Sequence, residues 1–380
     1  FNVHYAADVK KRYPDLLVNT VGSITSIAEA EEILSKGWAD FVAMCRPLMA
    51  DPDMPKKYSA NKPEDHRPCL RCDQCARFFP PRIINCAVNP ISGITSELPE
   101  GTVPEAKVKK KVGIVGGGPG GLYAMMAACD RGHEVILYEK GSELGGSLLG
   151  AAVPPVKTDM KKYVAWLKRE VAKDKYKATI KLNTAATKEI LDKENFDALI
   201  IAVGAEPVIP RIPGYDKKHV SWASDAELGK TFVGDNIVII GAGSIGIEAA
   251  FDFDSLGKKV TLIELLETDA ARESLFRSGG QGGNELLALL NEKEIPIYYG
   301  TSAQEILDDK VICKNAKTGE TFELAADTVL YSVGMKPRYD LVDELRHSAP
   351  EGSVYIVGDA KESGKITHAT NGGFNAALHI

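Results

Sequence analysis

An internal repeat leaves few folds open to this 380-residue chain. An apolar run, Val112–Val115, ends in Gly116-Gly117-Gly118-Pro119-Gly120-Gly121. A helix is expected from there to about Asp130, then Gly132, a strand over Glu134–Tyr138, and Glu139. The order returns later: strand Ile237–Ile240, Gly241-Ala242-Gly243-Ser244-Ile245-Gly246, a helix to about Leu256, Gly257, strand Lys259–Ile263, and Glu264. In both copies the acidic residue stands 23 positions after the first glycine. Each copy also closes alike. Leu199–Val203 leads into Gly204-Ala205-Glu206-Pro207, and Val329–Val333 into Gly334-Met335-Lys336-Pro337. Such strand–turn–helix–strand units build a parallel sheet covered by helices.

A lone G-x-G-x-x-G is weak evidence. Here each copy follows an apolar strand, opens a helix and has an acid at the end of the next strand, which is the context a dinucleotide site requires. Gly116 and Gly241 permit the tight turn, Gly118 and Gly243 let a pyrophosphate approach the backbone, and Gly121 and Gly246 let helix and strand pack closely. Helix-terminal amides then hold the phosphate, and Glu139 and Glu264 would accept hydrogen bonds from ribose hydroxyls. A tight turn without a ligand is the bland alternative, and the context disfavours it.

Val354–Val357 followed by Gly358-Asp359 resembles the second FAD signature of flavoproteins with two nucleotide sites, where a carboxylate meets the ribityl chain. It lies after the second repeat, so the FAD domain is expected to be split, with a nicotinamide domain inserted. Gly145-Gly146 fits a close backbone approach near the flavin adenosine. Glu264 favours the 2′-hydroxyl of NADH over the 2′-phosphate of NADPH, and no Arg or Lys follows it within seven residues.

Four of the seven cysteines, Cys69, Cys72, Cys75 and Cys86, fall in one stretch spaced C-x2-C-x2-C-x10-C. Structural zinc sites usually draw ligands as two separated pairs. Three thiolates in a tight run plus a fourth suit a 4Fe-4S cluster better, with zinc as the lesser alternative. A disulfide reading is weaker, because no signal peptide precedes the cysteines, and a cytoplasmic location is expected. Cys129 and Cys313 read as core residues.

Residues 1–60 read as strand, helix, strand and helix: Leu16–Val21, Ser26–Lys36, Asp40–Met44, then a helix or turn from Arg46. Two strands cannot bury a core alone, so an N-terminal part or a partner must complete them. The chain begins at Phe1, which suggests the C-terminal portion of something longer. From about Ala87 to Lys111 it reads as a linker. The net charge of −6 leaves no nucleic-acid footprint, and no apolar run of about 18 residues predicts a membrane helix.

Taken together, these motifs resemble, across essentially the whole chain, the multidomain relatives of old yellow enzyme: 2,4-dienoyl-CoA reductase, 2-enoate reductase, trimethylamine dehydrogenase and the bile-acid enoate oxidoreductases. Val21-Gly22-Ser23-Ile24 is similar to the seventh barrel strand and its loop, Met44-Cys45-Arg46-Pro47 to the eighth, and Arg67-Pro68-Cys69 through Cys86-Ala87-Val88-Asn89-Pro90 to the cluster segment. Several relatives carry Arg where this chain has Ser23, and the cysteine spacing is slightly tighter than in some. The resemblance implies an α/β fold: the C-terminal piece of a (β/α)8 barrel, a Cys-rich cluster segment, then nested FAD and NAD(P)H Rossmann-like domains. The expected division is 1–60 barrel, 61–106 cluster segment and linker, 107–207 with 335–380 FAD domain, and 208–334 NAD(P)H domain. Gly22, Ser23, Cys45 and Arg46 would cradle an FMN phosphate. The implied activity is reduction of an activated C=C bond in a small molecule, with electrons passing from NADH through FAD, the cluster and FMN. The catalytic acid is expected in the barrel portion that this sequence lacks. A homo-oligomer stays open, and no nucleic-acid or membrane partner is expected. The rival reading is an electron-input subunit with FAD, cluster and NADH but no organic substrate of its own; a redox-inactive relic is the bland one. His368 reads as a surface or capping histidine before a flavin contact.

Overall fold

The computed structural model describes residues 2–76, 84–94, 97–98, 102–279 and 281–380, so Phe1 and parts of the expected cluster segment and linker lie outside the described residues. The chain divides into two compact units. One comprises Phe1–Leu149, Thr158–Gly204 and Pro337–Ile380; the other comprises Gly150–Lys157 and Ala205–Lys336.

The first unit is built on a five-stranded parallel sheet in the spatial order Val354–Ile356, Ala198–Ile201, Lys111–Val115, Glu134–Tyr138, Thr179–Lys181. Its central strands are buried along nearly their whole length, as expected where helices cover both faces. The helix Pro119–Asp130 is buried over ten of its residues. The helix Ile366–Leu378 crosses it so closely that a Cβ on Gly373 would lie 1.9 Å from the Gly120 carbonyl oxygen.

The N-terminal piece of this unit holds two parallel strands, Asn19–Val21 and Phe41–Ala43, paired Asn19 to Phe41. The helix Ile27–Ser35 joins them. Ser26 caps it by accepting from the Glu29 amide at 3.2 Å, while the Glu29 carboxylate accepts from the Thr25 amide at 2.6 Å. The first strand is shorter than the apolar run Leu16–Val21 because the Val18 amide donates to the Asp40 side chain at 2.7 Å instead of to a ladder. A further helix, Val3–Arg12, precedes it. Val21 and Phe41 remain 51% and 56% exposed.

The second unit repeats the plan. Its parallel sheet runs Val220–Trp222, Thr328–Tyr331, Asn236–Ile240, Lys259–Ile263, Ile297–Tyr298. Four strands keep the order of the first sheet, but the edge strand Val220–Trp222 comes first in this unit's chain order, where its counterpart Val354–Ile356 comes last. A three-stranded antiparallel sheet, Thr301–Ile306, Lys310–Asn315 and Thr321–Ala325, is inserted before the closing strand. Cys313 is fully buried in it, and Cys129 is half-buried in the helix Pro119–Asp130. Among the described residues, no helix is long and apolar enough to cross a membrane.

Candidate functional site

The four cysteines line one cavity together with Arg46, Leu70, Asp73, Gln74, Ala87 and Val88. Two residues flanking Cys72 hold left-handed backbone without being glycine, Arg71 at φ 51° and Asp73 at φ 53°. Such conformations cost energy and persist where surroundings enforce them. Their effect is to turn backbone N–H groups inward. The Arg71 amide donates to Cys69 Sγ at 3.4 Å, and the Gln74 amide draws the Cys72 thiol downward in pKa. Amides concentrated in this way make a concave site for an anion. Across the loop, Gln74 Nε2 donates to Asn85 Oδ1 at 2.9 Å, bringing the third and fourth cysteines together.

Burial pushes the Cys69 thiol up to about 11 and raises Cys72 and Cys75 as well. Metal ligation requires thiolate, so a cationic centre is what would hold these sulfurs deprotonated in such a cavity. Among the described residues, no three His, Cys, Asp or Glu side chains converge on a single-ion site. Four thiols around one shared cavity, with the Arg71 amide donating to Cys69 Sγ, are a donor set suited to sulfur ligation of a metal centre.

The two glycine loops have nearly the same geometry. Gly116 and Gly241 adopt φ +108° and +103°, and a Cβ on either would lie 2.3 or 2.5 Å from the carbonyl oxygen of Ala202 or Ser332. A Cβ on Gly121 or Gly246 would lie 1.9 or 2.1 Å from the carbonyl oxygen of Gly116 or Gly241. Gly118 and Gly243 stand at the helix N-caps without side-chain caps, leaving first-turn amides for a phosphate. A Cβ on Gly243 would meet nothing within 4 Å, and one on Gly118 only Gly146 Cα at 3.9 Å. That is the open approach a pyrophosphate needs.

Glu139 and Glu264 serve their loops in the same way. Glu139 accepts from the amides of Gly117 and Gly141, both at 2.7 Å. Glu264 accepts from Ala242 at 2.8 Å and Leu266 at 2.9 Å. Each carboxylate thus ties the glycine turn to the end of the following strand, a role the spacing did not predict. A ribose hydroxyl would meet a carboxylate already oriented by two amides.

In the first unit, Gly145 and Gly146 face that loop. The Gly145 amide donates to the Gly117 carbonyl at 2.9 Å, and a Cβ on Gly146 would lie 2.8 Å from Gly118 Cα. Asp359 Oδ1 accepts from the Gly364 amide at 3.0 Å, while burial raises its pKa. Gly358 takes φ +60°. His368 caps the last helix, its Nδ1 accepting from the Lys365 amide at 3.1 Å. Gly204, at φ +71°, lies three residues past the strand Ala198–Ile201, where the chain leaves the first unit.

Gly22 and Ser23 follow the strand Asn19–Val21, and Cys45 and Arg46 follow Phe41–Ala43. Because the strands are parallel, both loops emerge at the same end. Gly22 has φ +131° and Ser23 φ 53°. Cys45 is exposed, and Arg46 Nη1 donates to Asp73 Oδ1.

Sequence reasoning missed the residues that fix the cysteine segment, among them Asp73, Tyr123 and Thr370, since no local period marks them. It also missed a carboxylate group in the second unit. Burial, with Asp252 and Glu248 nearby, pushes Glu227 up to about 7 against the opposing charge of Lys157, and Lys157 pairs with Glu248.

A sequence profile for pyridine nucleotide-disulphide oxidoreductases matches residues 110–371. The chain is 34% identical over 386 residues to an NADH oxidase of Thermoanaerobacter brockii, covering 99% of this chain and 57% of that protein. It is 30% identical to a cinnamate reductase of Clostridium sporogenes, covering 98% of this chain and 54% of that one. The solved structure of a 2-naphthoyl-CoA reductase with 2-naphthoyl-CoA superposes with TM-score 0.88 at 30% identity, over all of this chain and 56% of that chain. The chain therefore spans little more than half the length of these relatives.

Proposed function

The chain belongs to the pyridine nucleotide-disulphide oxidoreductase family, and from that premise we propose that it is the electron-input part of an NADH-dependent flavin and iron–sulfur reductase acting on activated C=C bonds. The carrying observation is that four cysteines share one cavity inside the same compact unit as the Gly116–Gly121 loop. The names of a cinnamate reductase and a 2-naphthoyl-CoA reductase among the relatives support the substrate class.

In this reading the first unit's Gly116, Gly118, Gly121, Glu139, Gly145, Gly146, Gly204, Gly358 and Asp359 hold FAD. Gly241, Gly243, Gly246 and Glu264 hold NADH. Cys69, Cys72, Cys75 and Cys86 hold a 4Fe-4S cluster, and Gly22, Ser23, Cys45 and Arg46 belong to an FMN site. Bound together, these groups supply hydride transfer, the division of an electron pair into single electrons, and its delivery to an organic acceptor. The protein's own part is positional. Glu139 and Glu264 hold the glycine turns rigid, and the uncapped helix amides offset phosphate charge. The inward amides at Arg71 and Gln74 stabilise thiolates.

The N-terminal strands favour this reading over an accessory subunit. Val21 and Phe41 are half-exposed on a two-stranded parallel sheet, whereas parallel sheets in stable domains are larger and covered on both faces. The missing neighbours would be further barrel strands of the full-length protein, carrying the substrate pocket and the proton donor. Flavin extraction from the full-length protein tests this. FAD and FMN together are expected; FAD alone would sink the barrel half. Cys72→Ala should leave FAD reduction by NADH intact and abolish FMN reduction.

A further inference from the structure

We propose that Arg46, held by Asp73 at the four-cysteine cavity, is the charge that sets how readily a cluster bound there accepts an electron. This rests on the reading that the cavity holds a 4Fe-4S cluster.

Arg46 opens the short helix after the strand Phe41–Ala43. Its guanidinium is paired with Asp73, which lies between Cys72 and Cys75. Among the described residues lining the cavity, Arg46 is the one cation. The two nearby arginines are engaged elsewhere, Arg67 with the Val88 carbonyl at 3.2 Å and Arg71 with Asp159 at 2.6 Å.

Accepting one electron adds one negative charge to a centre already ligated by four thiolates; no bond to the protein forms or breaks. A cation at the cavity edge stabilises that added charge, and an anion opposes it. Arg46 is 31% exposed and Asp73 66%, so solvent screens the carboxylate more than the guanidinium. The guanidinium thus favours the added electron and the carboxylate opposes it, the two acting with opposite sign on the same cavity.

The test is an EPR-monitored redox titration of the full-length protein with its cluster and flavins, comparing wild type, R46Q, R46K and D73N, with iron and FMN content measured in each. R46Q should lower the cluster midpoint by about 59 mV or more, a tenfold change in the one-electron equilibrium constant. R46K should retain most of the wild-type value, and D73N should raise the midpoint. Opposite shifts from the two partners are what a merely structural ion pair would not give. An unchanged midpoint in R46Q, with or without loss of FMN, would overturn the proposal and leave the guanidinium to the FMN site alone. Shifts of the same sign in R46Q and D73N would also overturn it. If R46Q loses iron, D73N decides, and no upward shift there sinks the idea. A wild-type protein without a 4Fe-4S signal would fail at the underlying reading and take this proposal with it.

Discussion

The Thr370 hydroxyl donates to the Ala87 carbonyl at 2.8 Å, one residue beyond Cys86. Thr370 is fully buried on the helix Ile366–Leu378. The next carbonyl, of Val88, accepts from Tyr123 Oη at 2.5 Å and Arg67 Nη1 at 3.2 Å. The Asn89 side chain then donates to the Met49 carbonyl at 2.9 Å. Three successive residues after the fourth cysteine are thus fixed by the helix of the glycine loop, the last helix, the start of the cysteine segment and the short helix Arg46–Ala50.

Replacing Thr370 with Val keeps the shape but leaves the Ala87 carbonyl buried without its donor. The expected loss is about 1–3 kcal/mol, with Thr370→Ser close to wild type. Denaturant titration of the full-length holoprotein checks it, and an unchanged midpoint would remove Thr370 from the support of the cysteine segment.

The third glycines separate the two nucleotide sites. Gly121→Ala would force a Cβ to 1.9 Å from the Gly116 oxygen, so FAD content should fall at least roughly tenfold. Gly246→Ala makes the same clash in the second unit, at 2.1 Å from the Gly241 oxygen. It should keep FAD but slow reduction by NADH by about the same factor. Flavin quantitation and stopped-flow absorbance read the two effects independently; loss of FAD in both variants would count against the division of roles.

Glu264→Ala removes the clip on the Ala242 and Leu266 amides and, in the proposed reading, the ribose acceptor. The KM for NADH should rise on the order of tenfold while that for NADPH changes little, collapsing the preference. Initial rates with the two nucleotides provide the check, and a preserved ratio would assign discrimination to another residue.

Glu170 makes the first unit acid-sensitive. Burial pushes its carboxyl up, but Lys173 and Lys175 outweigh this and bring it down to about 2 from an ordinary 4.5. Lys173 also pairs with Asp65 at 2.9 Å, at the approach to the cysteines. A depressed carboxylate contributes stability that is fully present above about pH 4.5 and lost as pH falls toward 2. Glu170→Gln should therefore melt lower than wild type at pH 7, and the gap should narrow below pH 4.5. Thermal melts across that range test it; a constant gap would rule out the charge.

The nucleotide half was legible because its constraints are local. A turn that excludes Cβ atoms permits only glycine, and the acid that clips it must end the next strand. The N-terminal helix Val3–Arg12 escaped notice because it has no side-chain cap and buries only Ala6. The antiparallel sheet was equally quiet, since Thr301–Ile306 is buried only at its two ends. Arg71 and Asp73 carry left-handed backbone that their identities do not advertise. The clamp on Ala87 spans 283 positions, a distance over which no periodicity carries information.

The first unit's sheet pairs Ala198–Ile201 with Val354–Ile356, strands separated by almost the whole of the second unit. The helix that covers Pro119–Asp130 comes later still, at Ile366–Leu378. During synthesis the Gly116–Gly121 loop therefore emerges long before the strand and helix that complete its surroundings. The second unit can acquire its own sheet while the first waits as an unfinished edge, exposed to wrong pairing. If the first loop holds a nucleotide as proposed, its capture would have to await the last helix, and damage there would empty a site whose signature lies far upstream.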